Sequence, residues 1–159
     1  MNEPAVIRAM LGHPPAEPRT IAVVGLSDKP GRPGNYVPAY MQQHGYRIIP
    51  VNPLLETGLG EKAYASLADL PQKPDVVNVF RLPKFIPGVV DEMLQLGLDN
   101  IWVQQGIIHL EAAAKAEAGG IHVVMDRCMK IEHARFFGGL NSIGLNTGVI
   151  SALRRPRSL

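Results

Sequence analysis

Thr20-Ile21-Ala22-Val23-Val24-Gly25-Leu26-Ser27-Asp28-Lys29-Pro30-Gly31-Arg32-Pro33-Gly34-Asn35 is the stretch on which the fold turns. It opens as a near-continuous apolar, β-branched run, the signature of a strand covered on both faces. A loop rich in Gly and Pro follows, and then residues at helical spacing. Strand, glycine loop and helix in that order make one βα unit.

The unit recurs along the chain. Strands are predicted at Ile21–Val24, Arg47–Val51, Val76–Phe80, Ile101–Gln104 and Ile121–Met125, with starts about 25 residues apart, enough for a crossover helix between parallel neighbours. The intervening segments carry apolar stripes: Tyr36, Val37, Tyr40 and Met41 in one, and Ile86, Val89, Val90, Met93 and Leu94 in the next. A third, Ala-rich helix over Leu110–Ala118 stops at Gly119-Gly120. Between Asn52 and Leu70 the pattern weakens, and only a short helical turn around Ser66–Leu70 is expected. Residues 1–18 read as a short helix and a Pro-stiffened connector, residues 138–148 as an irregular Gly-rich segment, and residues 150–159 as a basic tail carrying Arg154, Arg155 and Arg157. The expectation is a single domain over 1–159 of the α/β class. It is a Rossmann-like, doubly wound, mainly parallel five-stranded sheet in three layers.

Composition narrows the function. At 159 residues, 46% hydrophobic, 19% charged and net charge +2, the chain is neither a disordered segment nor a polycation built to coat nucleic acid. No apolar run of membrane-spanning length and no charged-then-apolar leader is visible, so no membrane partner is expected. The single cysteine, Cys128, rules out an internal disulfide framework, and the expected compartment is the cytoplasm. The five histidines are scattered, with no paired metal-ligand spacing, and no metal site is expected.

In an open parallel sheet, ligands sit beyond the carboxyl ends of the strands, where strand order reverses. After the first strand, the loop from Gly25 through Ser27 leads into a helix whose backbone N–H groups and positive dipole end suit phosphate. It is not the dinucleotide fingerprint, because Ser27 stands at the second glycine position and the loop is longer. Lys29 and Arg32 add cationic side chains to it, or else are solvated surface charges. After the second strand comes Asn52-Pro53, where an NAD site wants a carboxylate for the ribose hydroxyls; a turn Asn before Pro accounts for the dipeptide equally well. That absence permits a phosphorylated ribose.

The third strand ends in Phe80-Arg81, an aromatic and a guanidinium at the carboxyl edge, with Phe80 either core or ligand-facing. The fourth ends in Gln104-Gln105-Gly106. The fifth ends in Asp126-Arg127-Cys128, where Asp126 and Arg127 either face the crevice or lock the top of the sheet. Cys128 lacks a histidine placed by sequence in the same turn to act as its base, so no catalytic set is assembled there.

These residues resemble a family: the small CoA-binding-domain proteins, similar to the CoA-binding domain of the succinyl-CoA synthetase α subunit. The resemblance is carried by Val24-Gly25-Leu26-Ser27 with the Lys29–Gly34 loop, Pro50-Val51-Asn52-Pro53, Val79-Phe80-Arg81, Trp102-Val103-Gln104-Gln105-Gly106, Met125-Asp126-Arg127-Cys128-Met129-Lys130 and Leu145-Asn146-Thr147-Gly148. It implies coenzyme A held at Gly25, Ser27 and Lys29, at Asn52 and Pro53, and at Phe80 and Arg81. The reading of the strand ends adds Arg32, Gln104, Gly106, Arg127 and Cys128. The part of the synthetase that bears its phosphorylated histidine lies outside the resemblance, so ligase activity is not implied. The expected function is binding of CoA or an acyl-CoA without catalysis. The alternative is an NADP-dependent oxidoreductase-type domain.

Overall fold

The computed structural model describes residues 1–12 and 19–138. In chain order it runs α1 (Pro4–Leu11), β1 (Thr20–Val24), α2 (Pro33–Gln43), β2 (Arg47–Val51), β3 (Thr57–Gly58), β4 (Glu61–Lys62), β5 (Val76–Val79), α3 (Ile86–Leu96), β6 (Asn100–Val103), α4 (Leu110–Ala118), β7 (His122–Met125) and α5 (Met129–Phe137). Five strands pair in the order β2-β1-β5-β6-β7, every pairing parallel. The Rossmann-like doubly wound sheet expected from the sequence is present, its five strands within a residue or two of the predicted bounds.

Alternation along each strand sends side chains to two separate cores. Ala22, Val77, Val79, Ile101, Val103, Val123 and Met125 face α3 and α4. Ile21, Val23, Val76, Trp102 and Val124 face α1, α2 and α5. Trp102 is fully buried, as its place in the middle of β6 requires. A buried side chain of this kind contributes about 1.5–3 kcal/mol, so two dry faces supply most of the driving force for docking the helices.

Three features differ from the sequence reading. Helix α2 begins at Pro33 rather than near Tyr36, because proline's fixed φ and missing N–H suit a first helical position. The weak segment after Asn52 holds the antiparallel pair β3–β4 as well as the expected turn, here a 3₁₀ helix at Leu67–Asp69. Two-residue strands are too short to leave an alternating pattern. Helix α5 is absent from the sequence reading, because its apolar positions are interrupted by Glu132 and Arg135, which pair with each other at 2.6 Å. The Gly-rich stretch, the basic tail and the Leu145–Gly148 motif lie outside the described residues, as does most of the connector after α1.

Helix α5 docks on α2 through a cluster of rings. The Tyr40 hydroxyl hydrogen-bonds His133 Nδ1 at 2.9 Å, and His44 and Tyr46 pack edge-on against the same imidazole. The Tyr46 hydroxyl donates to the Leu11 carbonyl at 2.6 Å, and burial pushes its pKa up to about 12. Burial, and after it the neighbouring His44, hold His133 below its usual value of 6.5. The fold therefore prefers the neutral imidazole, and the unfolded chain takes up the proton first. The contribution of His133 is complete above the unfolded pKa and is lost as pH falls from there through the folded pKa. A thermal melt series from pH 7.5 to 5 should show a declining midpoint, and His133→Gln should make the decline shallower. Identical slopes in the two proteins would exclude His133 as a source.

Candidate functional site

The sheet reverses its winding between β1 and β5. From β1 the chain goes out to β2 at one edge, then returns past β1 to build β5, β6 and β7 on the other side. The connections leave the carboxyl ends of β1 and β5 in opposite directions, and a crevice opens between them. Gly25 is at its floor. It has φ +86°, and a Cβ there would come within 2.6 Å of the Phe80 carbonyl oxygen and 3.0 Å of Arg81 Cδ. Only glycine lets the first loop pass this close to the end of β5, and the Arg81 stem is thereby laid over the loop's first residue.

The loop is closed by its own backbone. Ser27 N–H donates to the Gly34 carbonyl at 3.0 Å, Asn35 Nδ2 donates to the Ser27 carbonyl at 2.8 Å, and Lys29 N–H donates to Ser27 Oγ at 3.1 Å. Pro38, four residues beyond Gly34, leaves the carbonyl of that first bond without a competing helical donor. In a regular helix the residue 38 N–H would donate to that carbonyl, but proline has none. The freed carbonyl takes Ser27 instead, and the loop is stapled to the first turn of α2. Lys29 and Arg32 stand exposed on it, and neither pairs with a carboxylate among the described residues.

Asn52 is a latch. Its Nδ2 donates to the Leu26 carbonyl at 2.9 Å and its Oδ1 accepts from Leu54 N–H at 2.9 Å, which fixes the turn after β2 against the first loop, with Pro53 exposed beside it. Phe80 is half-buried against the α2 side of the core. The Arg81 guanidinium lies over the Phe85 ring at 4.3 Å, and Lys84 reaches the same ring at 5.1 Å. Gly25, Ser27, Lys29, Arg32, Asn52, Pro53, Phe80 and Arg81 thus line the ends of β1, β2 and β5.

The remaining predicted residues form a second group over β6 and β7, organised by Asp126. This residue is 1% exposed and holds φ +58°, a conformation that Asp tolerates better than most side chains. Its Oδ1 accepts from Gly106 N–H at 2.9 Å, tying the two loops together. Arg127 Nη1 donates to the Asp126 carbonyl at 2.8 Å, and the Arg127 carbonyl accepts from Trp102 Nε1 at 2.9 Å. The Arg127 guanidinium is therefore engaged within its own loop. Gln104 is buried at the end of β6, and Cys128 is buried at the head of α5 among the apolar residues around Trp102 and Met129.

Three residues at the crevice escape the sequence reading. Phe85 and Lys84 follow Arg81 by four and three residues, a helical spacing hidden by Pro83. Lys130, at the start of α5, places its Nζ over the rings of Tyr36 and Tyr40 at 5.6 and 5.4 Å, a pairing no sequence spacing reveals. His109 serves the fold, since its Nδ1 accepts from Ala112 N–H at 3.1 Å and caps α4. Among the described residues no group of three metal-ligating side chains gathers, and no helix is long and apolar enough to cross a membrane.

A glycine loop opening a helix at the switch point of a parallel sheet, with lysine and arginine around it and no carboxylate after β2, is the ligand-crevice arrangement of a Rossmann-like domain. The chain belongs to the CoA binding domain family, whose model matches residues 19–134. It is 45% identical to the Bacillus subtilis protein YneT over 116 residues, 73% of this chain and 86% of that one. It is 32% identical over 129 residues to the α subunit of the ADP-forming acetate–CoA ligase I of Pyrococcus furiosus, covering 76% of this chain but only 28% of the subunit. A solved structure from Thermus thermophilus superposes with a TM-score of 0.77 at 41% identity, covering 85% of this chain and 99% of that one. These likenesses do not favour the NADP-dependent alternative.

Pro38→Ala restores an N–H that competes with Ser27 for the Gly34 carbonyl. Amide exchange at Ser27 should quicken by up to about fivefold, the scale of one neutral hydrogen bond, while β1 core amides keep their protection. Unchanged exchange at Ser27 would mean that Pro38 does not control the loop.

Proposed function

We propose that this chain binds coenzyme A, or an acyl-CoA, with its phosphates at the α2 N-terminus and its adenosine end between Lys29, Arg32 and Arg81. One observation carries the reading: three cationic side chains, none with a carboxylate partner among the described residues, stand around the glycine loop that leads into the positive N-terminal end of α2. Membership in the CoA binding domain family supports the ligand, and so does the likeness to a domain-sized part of an ADP-forming acetate–CoA ligase subunit. Asn52 shapes the loop rather than accepting from a ribose. Gly106 and Arg127 hold the far wall, and Gln104 and Cys128 lie beneath it. The binding unit is one domain, and its role is to hold the ligand without transforming it, as a carrier or sensor would.

The diphosphate needs fewer cations than the site offers, so the 3′-phosphate is assigned to the surplus. In thermal-shift measurements CoA should raise the melting midpoint and dephospho-CoA should raise it less. A ligand at 100 times its dissociation constant stabilises by roughly 2.7 kcal/mol. Equal shifts would remove the assignment of the 3′-phosphate.

Arg81→Ala should weaken CoA binding by about 1.5–3 kcal/mol, the range for a charge-assisted hydrogen bond, and the loss should shrink at high salt. Calorimetric titration at two ionic strengths checks both points. A loss of stability with unchanged affinity would make Arg81 a structural residue held on Phe85.

A further inference from the structure

Two side-chain oxygens among the described residues are buried without a hydrogen-bond partner, one on β5 against the head of α5 and one just after β6, two residues beyond Trp102, whose indole meets the Arg127 carbonyl before that helix. Asn78 stands in the middle of β5, 1% exposed, between Val23 of β1 and Trp102 of β6. Its Nδ2 makes only a 3.8 Å contact with the sulfur of Met129, the first residue of α5, and its Oδ1 has no partner. Gln104 is two residues beyond Trp102 and so on the same face, 5% exposed, with its Oε1 unpartnered. On that face the neighbours Ile21, Val23, Val76 and Val124 are apolar. A buried acceptor left without a donor costs about 1–3 kcal/mol, and valine or leucine at either position would avoid it.

The same region also offers donors. Helix α5 runs for nine residues, and Cys128, at its N-cap, gives its first turn no side-chain cap. The first N–H groups of an uncapped helix seek an acceptor. Unpartnered acceptors on β5 and just after β6, with the Asn78 carboxamide against the first residue of α5, complement one chemical group, the secondary amide, which carries one N–H and one C=O. We infer that Asn78 and Gln104, with the head of α5, receive an amide of the pantetheine arm, its N–H donating to a carboxamide oxygen and its C=O accepting from α5. This rests on the CoA reading and extends it from the phosphates, held over β1 and β5, to the arm that runs towards β6 and β7. It also gives Asn78, which the phosphate end does not use, a role in recognising the ligand.

The test compares CoA with adenosine 3′,5′-bisphosphate, which has the nucleotide end and no pantetheine, by calorimetric titration of the whole chain. Asn78→Leu and Gln104→Leu keep the branch pattern or shorten the side chain by one atom, and both remove the acceptors. Each should weaken CoA roughly tenfold, the loss expected for a buried hydrogen bond, and leave the bisphosphate within about twofold of wild type. The ligand-free variants should still fold and melt cooperatively, since an unsatisfied group has been removed from each site. If the wild type binds CoA and both variants bind it equally well, the amide slot is wrong and the CoA reading stands. Parallel losses for CoA and the bisphosphate would make the two residues structural and sink the inference. A wild type that binds neither ligand refutes the CoA reading, and the slot falls with it. Should one variant fail to fold, the other carries the comparison, because the residues lie on different strands.

Discussion

The bond from Ser27 N–H to the Gly34 carbonyl organises the functional end of this molecule. Pro38 has no N–H to compete for that carbonyl, and Gly34 has no side chain to keep Ser27 and the Gly25 carbonyl away. A proline inside a helix normally weakens it by removing one bond of the ladder. Here the removed bond is replaced from outside the helix, so the first loop is fastened to α2 at the point where the helix dipole is positive. The Lys29 and Arg32 side chains are carried by that fastened backbone. Their charges therefore stand on a fixed backbone instead of a loose loop.

Around this staple the other strand ends are held by groups that do not touch one another's partners. Asn52 holds the loop from the β2 side, Gly25 admits the end of β5, and Asp126 ties the loops after β6 and β7. The division explains why Arg127 and Arg81, both arginines at strand ends, differ in use. Arg127 is folded back on Asp126, whereas Arg81 lies on Phe85 with its charge exposed to the crevice. A guanidinium on an aromatic ring keeps its N–H donors available in a way that one turned onto its own loop does not.

The polar residues buried under the crevice follow a different logic from those at its rim. Thr20 is engaged by Gln72 and Asp75, and Glu132 by Arg135, so their burial is compensated within the chain. Asn78 and Gln104 have uncompensated oxygens in the layer just below the site. Stability alone favours apolar residues at both positions, which points to a ligand as the source of the missing donors.

Five short apolar runs separated by glycine turns and amphipathic segments were enough to specify the parallel sheet, because strands buried on both faces must be continuously apolar and crossovers need length. The sequence likewise marked every strand end that carries a polar or glycine residue, and therefore the rim of the site, since each lies immediately after an apolar run. It did not reveal α5, whose pattern is broken by the buried Glu132–Arg135 pair, or the β3–β4 hairpin, too short for any period to show. Nor did it separate Arg81 from Arg127, or bring together Arg81 and Phe85, Lys130 and Tyr36, or Asn78 and Met129. Those distinctions depend on which side chains meet across sequence separations of up to tens of residues, and only the packing of helices onto the sheet decides that.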